Sequence, residues 1–265
     1  MTLAAYLAGI GVLGPGIDDW PHASALLCGL HVYEPAPTAL PMPTLLPAVE
    51  RRRTGRVVRL ALAVAHEAVT RAGVEPAELA SVFSSSGADG HNCHEICQAL
   101  ALPSRELSPT RFSNSVHNAS AGYWSIATGA KLASNVLCAF DASFCAGLLE
   151  ALAHVVVEEE PVLLVAYDTD YPEPLYTKRP VPDAFGTAFV LTPHRESGSL
   201  ARIEASLAER PADVLIDPRL EALRASTPAA RGLPLLQRLA MRHPGLTVLD
   251  YLDVSSTAVR VDPCS

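Results

Sequence analysis

"SNSVHNASAGYWSIATGAKLASNVLCAFDASFCAGLLEALAHV" occupies residues 113–155. Its centre reads as a strand of small and apolar residues over 135–140, then a sharp turn, then an apolar helix. A strand, a tight turn and a helix together form the local geometry in which many α/β enzymes present a nucleophile. Asp141 stands at that turn, where a serine or cysteine is expected. The stretch therefore predicts an enzyme-like scaffold without the residue that makes such a scaffold reactive.

On either side of this stretch, strands alternate with helices. "AAYLAGIGVL" reads as a strand. In "VVRLALAVAHEAVTRAG" the apolar residues Val57, Leu60, Ala61, Val64, Ala68, Val69 and Ala72 form a helical stripe, with Gly73 as its stop. "ASVFSSSG" is a second strand and "CHEICQALA" a short helix, and "SAGYWSIATGAKLA" is a further helix. "PVLLVAYD" is apolar throughout, as the centre of a parallel sheet requires. "AFGTAFVLTP" and "GSLARIEASLAE" are strands with no helix between them and are expected to pair as neighbours. The pattern predicts a layered α/β domain over 1–210. A proline- and arginine-rich segment, 211–265, is too short for its own core and is expected to pack on that domain.

Composition narrows the function classes. The 265 residues are 49% apolar and 18% charged, with a formal net charge of -8, which is a globular and acidic chain. The only basic cluster is "RRRTGR", which suits the start of a helix or an acidic partner and is too small for a nucleic-acid footprint. The apolar N-terminus lacks a positive region and is broken by glycines and Pro15, so it reads as strand and loop. No apolar run is expected to reach the roughly 18 residues that span a bilayer. The expected location is cytoplasmic. Six cysteines in such a setting argue against a disulfide framework. "HNCHEIC" invites a metal reading, but no second pair with zinc-like spacing follows. Cys138 and Cys145 read as small core residues. No metal and no cofactor are expected.

Several motifs, in order, resemble the β-ketoacyl synthases. "GIGVLGPG" is similar to that family's glycine-rich opening strand and turn, and "FSNSVHNASAGYWSIATG" to the segment preceding its nucleophile. "PVLLVAYDTDYPEPLY" and "PVPDAFGTAFVLTP" look like its later strand-and-loop and a shortened form of its hairpin. The resemblance covers roughly residues 3–205. It implies a thiolase-like α/β fold, as a single N-terminal-type half with a layered mixed sheet and flanking helices. Counted from Gly122, the family's nucleophilic cysteine falls on Asp141. The half that carries the family's "HGTGT" histidine motif is not in this sequence. Condensation needs a thiolate to hold the acyl chain and imidazoles to stabilise the developing enolate, and a carboxylate is a poor acyl acceptor.

Inactive family members of this kind are chain-length factors, and "NSVHNASAGYW" and "DASFCAGLLEA" resemble the short factors of aryl polyene and dialkylresorcinol pathways. The resemblance implies a heterodimer with an active β-ketoacyl synthase subunit. The acyl carrier protein is then reached through that partner, because an acidic chain repels an acidic carrier. It also implies an interface at Asn135, Val136, Leu137, Cys138 and Phe140, and an acyl-tunnel end formed by Arg111, Phe112, Val116, His117 and Asn118. Simpler roles stand beside these. Asp141 suits a helix N-cap, His117 a hydrogen-bonded interface histidine, Tyr123 and Trp124 the core, and His66 and His154 satisfied or edge positions. Two other classes stay open: a hydrolase using Ser143, His117 and Asp141, and a stand-alone acyl-binding homodimer.

Overall fold

The computed structural model describes residues 2–265. In chain order the elements are β1 (Leu3–Leu13), α1 (Trp20–Leu27), α2 (Ala48–Arg51), α3 (Arg56–Ala72), β2 (Ala80–Ser84), α4 (Gly90–Ala101), α5 (Pro109–Ser113), α6 (Ala119–Thr128) and β3 (Ser134–Leu137). There follow α7 (Ser143–Glu158), β4 (Val162–Asp168), α8 (Leu175–Lys178), β5 (Phe185–Thr192), β6 (Ala201–Ala208), α9 (Pro218–Ser226), α10 (Leu233–Met241), β7 (Gly245–Leu252) and β8 (Ser255–Pro263). The eight strands form one mixed sheet in the order β3-β2-β4-β5-β1-β6-β8-β7.

Helices cover both faces. The side chains of β4 show how: Val162, Leu164 and Ala166 join one core cluster, with α7 and α10, while Leu163, Val165 and Tyr167 join the other, with α3 and α6. A strand buried on both sides has no polar face to show, which explains its unbroken apolar run. That run does not report parallel pairing on both edges. β4 lies parallel to β2 but antiparallel to β5. The predicted pairing of the two later strands is also corrected, because β1 inserts between β5 and β6 and pairs antiparallel with each. The turn at Gly198 sends β6 to the far side of β1, a connection that no local pattern specifies.

Helix α3 lies directly on β1. A Cβ on Gly9 would stand 2.1 Å from the Ala68 carbonyl oxygen, and one on Gly11 2.1 Å from that of Val64. The glycines of "AGIGVL" therefore permit close helix–strand approach. Gly73 ends α3 in the left-handed conformation, φ +68°, with its N–H on the Val69 and Thr70 carbonyls. Arg56 is the first residue of α3, so the basic run leads into a helix as expected. The helix predicted over 120–133 stops earlier, at Thr128, because Gly129 takes φ +74°.

Residues 211–265 supply α9, α10, β7 and β8. β8 pairs with β6 along eight residues, from Ala201↔Pro263 to Ala208↔Ser256. Contrary to the expectation from sequence, one stretch is long and apolar enough to cross a membrane: the 19 residues Phe140–Glu158. Half of its most apolar window is buried inside the protein, with Phe144, Leu148 and Leu152 packed beneath the sheet.

Candidate functional site

The strands β3, β2 and β4 run parallel, so their carboxyl ends open at the same edge of the domain. In open α/β sheets this is where sites form. Here the ends are stitched together by small polar residues. Ser84 donates its hydroxyl to the Ser143 carbonyl at 2.6 Å, and the Cys138 thiol donates to the Ser86 carbonyl at 3.2 Å. Asp168, closing β4, is buried. Its Oδ1 accepts from the Ser86 N–H at 2.9 Å and the Ser86 hydroxyl at 2.6 Å, and its Oδ2 accepts from the Ala229 N–H at 2.9 Å. Burial pushes the Asp168 carboxyl up to about 6, against the pull of those donors and of Arg179.

The turn after β3 has the sharpness expected of it. Phe140 takes φ +51°, a conformation that disfavours a side chain with a Cβ by about 1–2 kcal/mol. Residues Phe140–Ala142 make a short 3-10 turn that runs into α7. Ser143, the first residue of α7, uses its hydroxyl locally: it accepts from the Ala139 N–H at 3.1 Å and donates to the Phe140 carbonyl at 2.7 Å.

Asp141 is not the N-cap of α7. The cap position is Ala142, and no side chain caps the helix. The Asp141 carboxylate turns away to two guanidiniums, Arg179 at 2.8 Å and Arg231 at 3.2 Å. Arg179 in turn lies over the Phe140 ring, 3.5 Å from its centroid. A carboxylate shared by two arginines is a paired counter-ion, with its lone pairs engaged.

The triad considered from sequence is not assembled. The Ser143 hydroxyl and the Asp141 carboxylate have the partners given above, and neither is bonded to a histidine. His117 is half-buried, and its Nε2 is enclosed without a hydrogen-bond partner within the chain.

Of the predicted interface residues, Asn135, Val136 and Leu137 lie on the sheet edge, since β3 has β2 as its one neighbour, and Cys138 and Phe140 lie beyond the strand's end. Asn135 donates its amide to Glu150 on α7 at 2.8 Å. Val136 and Leu137 are half-buried and pack against opposite cores. The alternation of a strand divides them between two faces. Cys138 is exposed, which corrects its placement in the core, whereas Cys145 is fully buried and its thiol is pushed up to about 12 by that burial. Phe140 is 63% exposed.

The predicted tunnel segment forms α5 and the turn before α6. Arg111 pairs with Glu95 at 3.3 Å, and its carbonyl accepts from Asn92 at 2.8 Å. Phe112 is 65% exposed and Val116 51%. Asn118 occupies the cap position of α6 without a side-chain cap. Asn114 holds the segment down, donating to the Arg53 carbonyl at 2.8 Å and accepting from the Tyr123 hydroxyl at 3.1 Å. Beside it a cleft of about 380 Å³ is lined by Arg53, Val116, Asn118, Gly122, Tyr123 and Ile126.

"HNCHEIC" begins α4, with Cys93 and Cys97 exposed. Its His91 faces Asp170 at 2.8 Å. Among the described residues no group of three or more His, Cys, Asp or Glu is placed to hold a metal. Trp124 is buried, and His154 meets Glu160 at 2.7 Å. Sequence reasoning missed Arg179, Arg231 and Asp168. Asp168 left a signal, a carboxylate closing an apolar strand; the two arginines left none, being 38 and 90 residues beyond Asp141 in a folded contact.

The sequence profile described as "Beta-ketoacyl synthase, N-terminal domain" matches residues 26–248. No curated protein matches the chain. Among solved structures, the chain is similar to one in the complex of the ketosynthase ApeO with its chain length factor ApeC from Xenorhabdus doucetiae, with 22% identity, 97% of this chain and 99% of that chain covered, and a TM-score of 0.74. It is similar to a chain of the ishigamide ketosynthase/chain length factor at 12% identity, with 99% and 100% covered and a TM-score of 0.73. A third similarity is to the type II polyketide synthase complex AntDE:AntF, at 9% identity, with 100% of both chains covered and a TM-score of 0.76. The mixed sheet between helical layers is the thiolase-like fold expected from sequence, as a single half. By its matched profile over most of its length, the chain belongs to the beta-ketoacyl synthase N-terminal domain family.

Proposed function

We propose that the chain is a non-catalytic chain length factor, which pairs with an active β-ketoacyl synthase and shapes the end of its acyl tunnel during polyketide- or polyene-like elongation. It is then one subunit of an acyltransferase complex, and the acyl carrier protein is engaged through the ketosynthase. The observation that carries this reading is Asp141. At the turn where the family's scaffold presents its nucleophile, the chain holds a carboxylate between Arg179 and Arg231. That group neither accepts an acyl chain nor has a base beside it. The solved structures it resembles include ketosynthase and chain length factor pairs, which supports the same assignment.

Phe112 is the one large apolar side chain exposed on α5, and Val116 follows at the mouth of the neighbouring cleft. A rigid ring at a tunnel end stops extension because overlap costs more than the roughly 0.8 kcal/mol returned by each added buried methylene. The test is co-expression with the ketosynthase of the same host, followed by mass spectrometry of carrier-bound products. A 1:1 complex is expected, with Phe112→Ala shifting products longer and Val116→Phe shifting them shorter. The first condensation stays within about a few-fold of wild type, because the nucleophile belongs to the partner. Thioester hydrolysis by the chain alone that is lost in Ser143→Ala, or a stable homodimer indifferent to the ketosynthase, refutes the assignment.

A further inference from the structure

Beyond the Asp141 pair, the charges continue as a ladder of alternating sign. Arg231 also reaches Asp250 at 3.8 Å, Asp250 is bonded to Arg224, and Arg224 pairs with Glu221 at 2.6 Å. The sequence of contacts is Phe140 ring, Arg179, Asp141, Arg231, Asp250, Arg224, Glu221. Three cations alternate with three anions, so the ladder holds no surplus charge for an outside ion. Its guanidiniums are mostly enclosed, with Arg224, Arg179 and Arg231 side chains 10%, 17% and 21% exposed. Its far end lies wholly in 211–265.

What stands at the near end is unusual in two ways. Phe140 has a left-handed backbone, and its ring projects into solvent. Folding of the isolated chain is served by neither. A conformation of this cost persists when its surroundings over-determine it, and here the Ser143 hydroxyl fixes the backbone while Arg179 fixes the ring. The planar guanidinium covers one region of the ring and leaves the rest open. Because Phe140 lies three residues beyond the end of the edge strand β3, a subunit that docks along that edge comes within reach of the ring.

We propose that this ladder is a brace, through which residues 211–265 hold Phe140 as a preset aromatic anchor for the ketosynthase subunit, with Arg179 as its positioning residue. The inference rests on the heterodimer reading. The partner surface it requires is an apolar pocket: a braced aromatic at the centre of an interface binds without losing side-chain freedom on association.

A double-mutant cycle on the heterodimer dissociation constant tests this, using the host ketosynthase that pairs with the wild-type chain. Phe140→Ala is expected to weaken the complex by about thirty-fold. Arg179→Met is expected to weaken it by about five-fold when Phe140 is present and to have no further effect in the Phe140→Ala background. Arg179→Lys, which keeps the charge but not the flat stacking group, falls between wild type and Arg179→Met. Arg231→Met acts in the same direction as Arg179→Met. An equal loss from Arg179→Met in both backgrounds shows a merely structural arginine and overturns the brace. Binding within about two-fold of wild type for Phe140→Ala overturns the anchor. Should Arg179→Met not fold, the surface truncation Phe140→Ala and the Arg179→Lys cycle decide alone. If the wild-type chain binds no ketosynthase, the heterodimer reading itself is refuted, an outcome distinct from the other two.

Discussion

Replacing Asp141 by asparagine separates two accounts of that residue. Asparagine caps helices about as well as aspartate, so an N-cap at this turn would tolerate the change with almost no loss. In the structure the carboxylate is instead the common counter-ion of Arg179 and Arg231 at 2.8 and 3.2 Å. A unit charge pair at 4 Å with an effective dielectric of 20 is worth about 4 kcal/mol before desolvation. Asp141 is 42% exposed, so much of that is screened, and the guanidiniums have already lost part of their hydration. A net loss of about 1–2 kcal/mol remains for Asp141→Asn, and Asp141→Ala should lose a similar amount. With a urea dependence of about 3 kcal/mol per molar, the unfolding midpoint falls by about 0.3–0.7 M. Trp20 and Trp124 provide the fluorescence signal. Arg179→Met and Asp141→Asn should also be strongly non-additive, because either alone breaks the shorter pair. A midpoint for Asp141→Asn indistinguishable from wild type, with Asp141→Ala alone destabilised, refutes the ion-pair account and restores the cap.

Asp168 predicts a pH dependence. Its carboxyl is raised from 3.8 to about 6 by burial, so the folded state favours the protonated form. Its stabilising contribution is complete below pH 4 and is lost as the pH rises through 6, by about 3 kcal/mol in all. Urea unfolding of wild type against Asp168→Asn between pH 4 and 7 checks this, and a difference that does not change with pH refutes it. Gly147→Ala should destabilise by about 1–3 kcal/mol in a thermal melt, since its Cβ would stand 2.7 Å from the Ser84 Cβ and leave α7 no room against β2.

Local periodicity made much of this fold legible. The stripe of α3, its glycine stop and the apolar runs of β2 and β4 each declare an element, because burial on one or both faces dictates their residues. What the pattern could not specify is order within the sheet. β5 and β6 look like a hairpin, yet β1 from the other end of the chain lies between them, a choice made by long-range pairing. At the site, the small residues around Asp141 announce a tight turn, and the structure supplies one with Phe140 at φ +51°. The partners of Asp141 were hidden because Arg179 sits after α8 and Arg231 in the turn before α10, and an exposed-looking arginine in a proline-rich segment carries no mark of what it faces. Cys138 misled because its neighbours Val136 and Leu137 are apolar; the strand ends at Leu137, and the chain beyond it leaves the cover of the helices.

The order β6-β8-β7 places the last strand of this sequence inside the sheet, between two strands made before it. During synthesis, β6 and β7 emerge with no mate for their facing edges, and they must wait unjoined for residues 255–263 to slot between them. A chain lacking β8 thus leaves the facing edges of β6 and β7 open at once, a form suited to capture by chaperones or to clumping with its own kind.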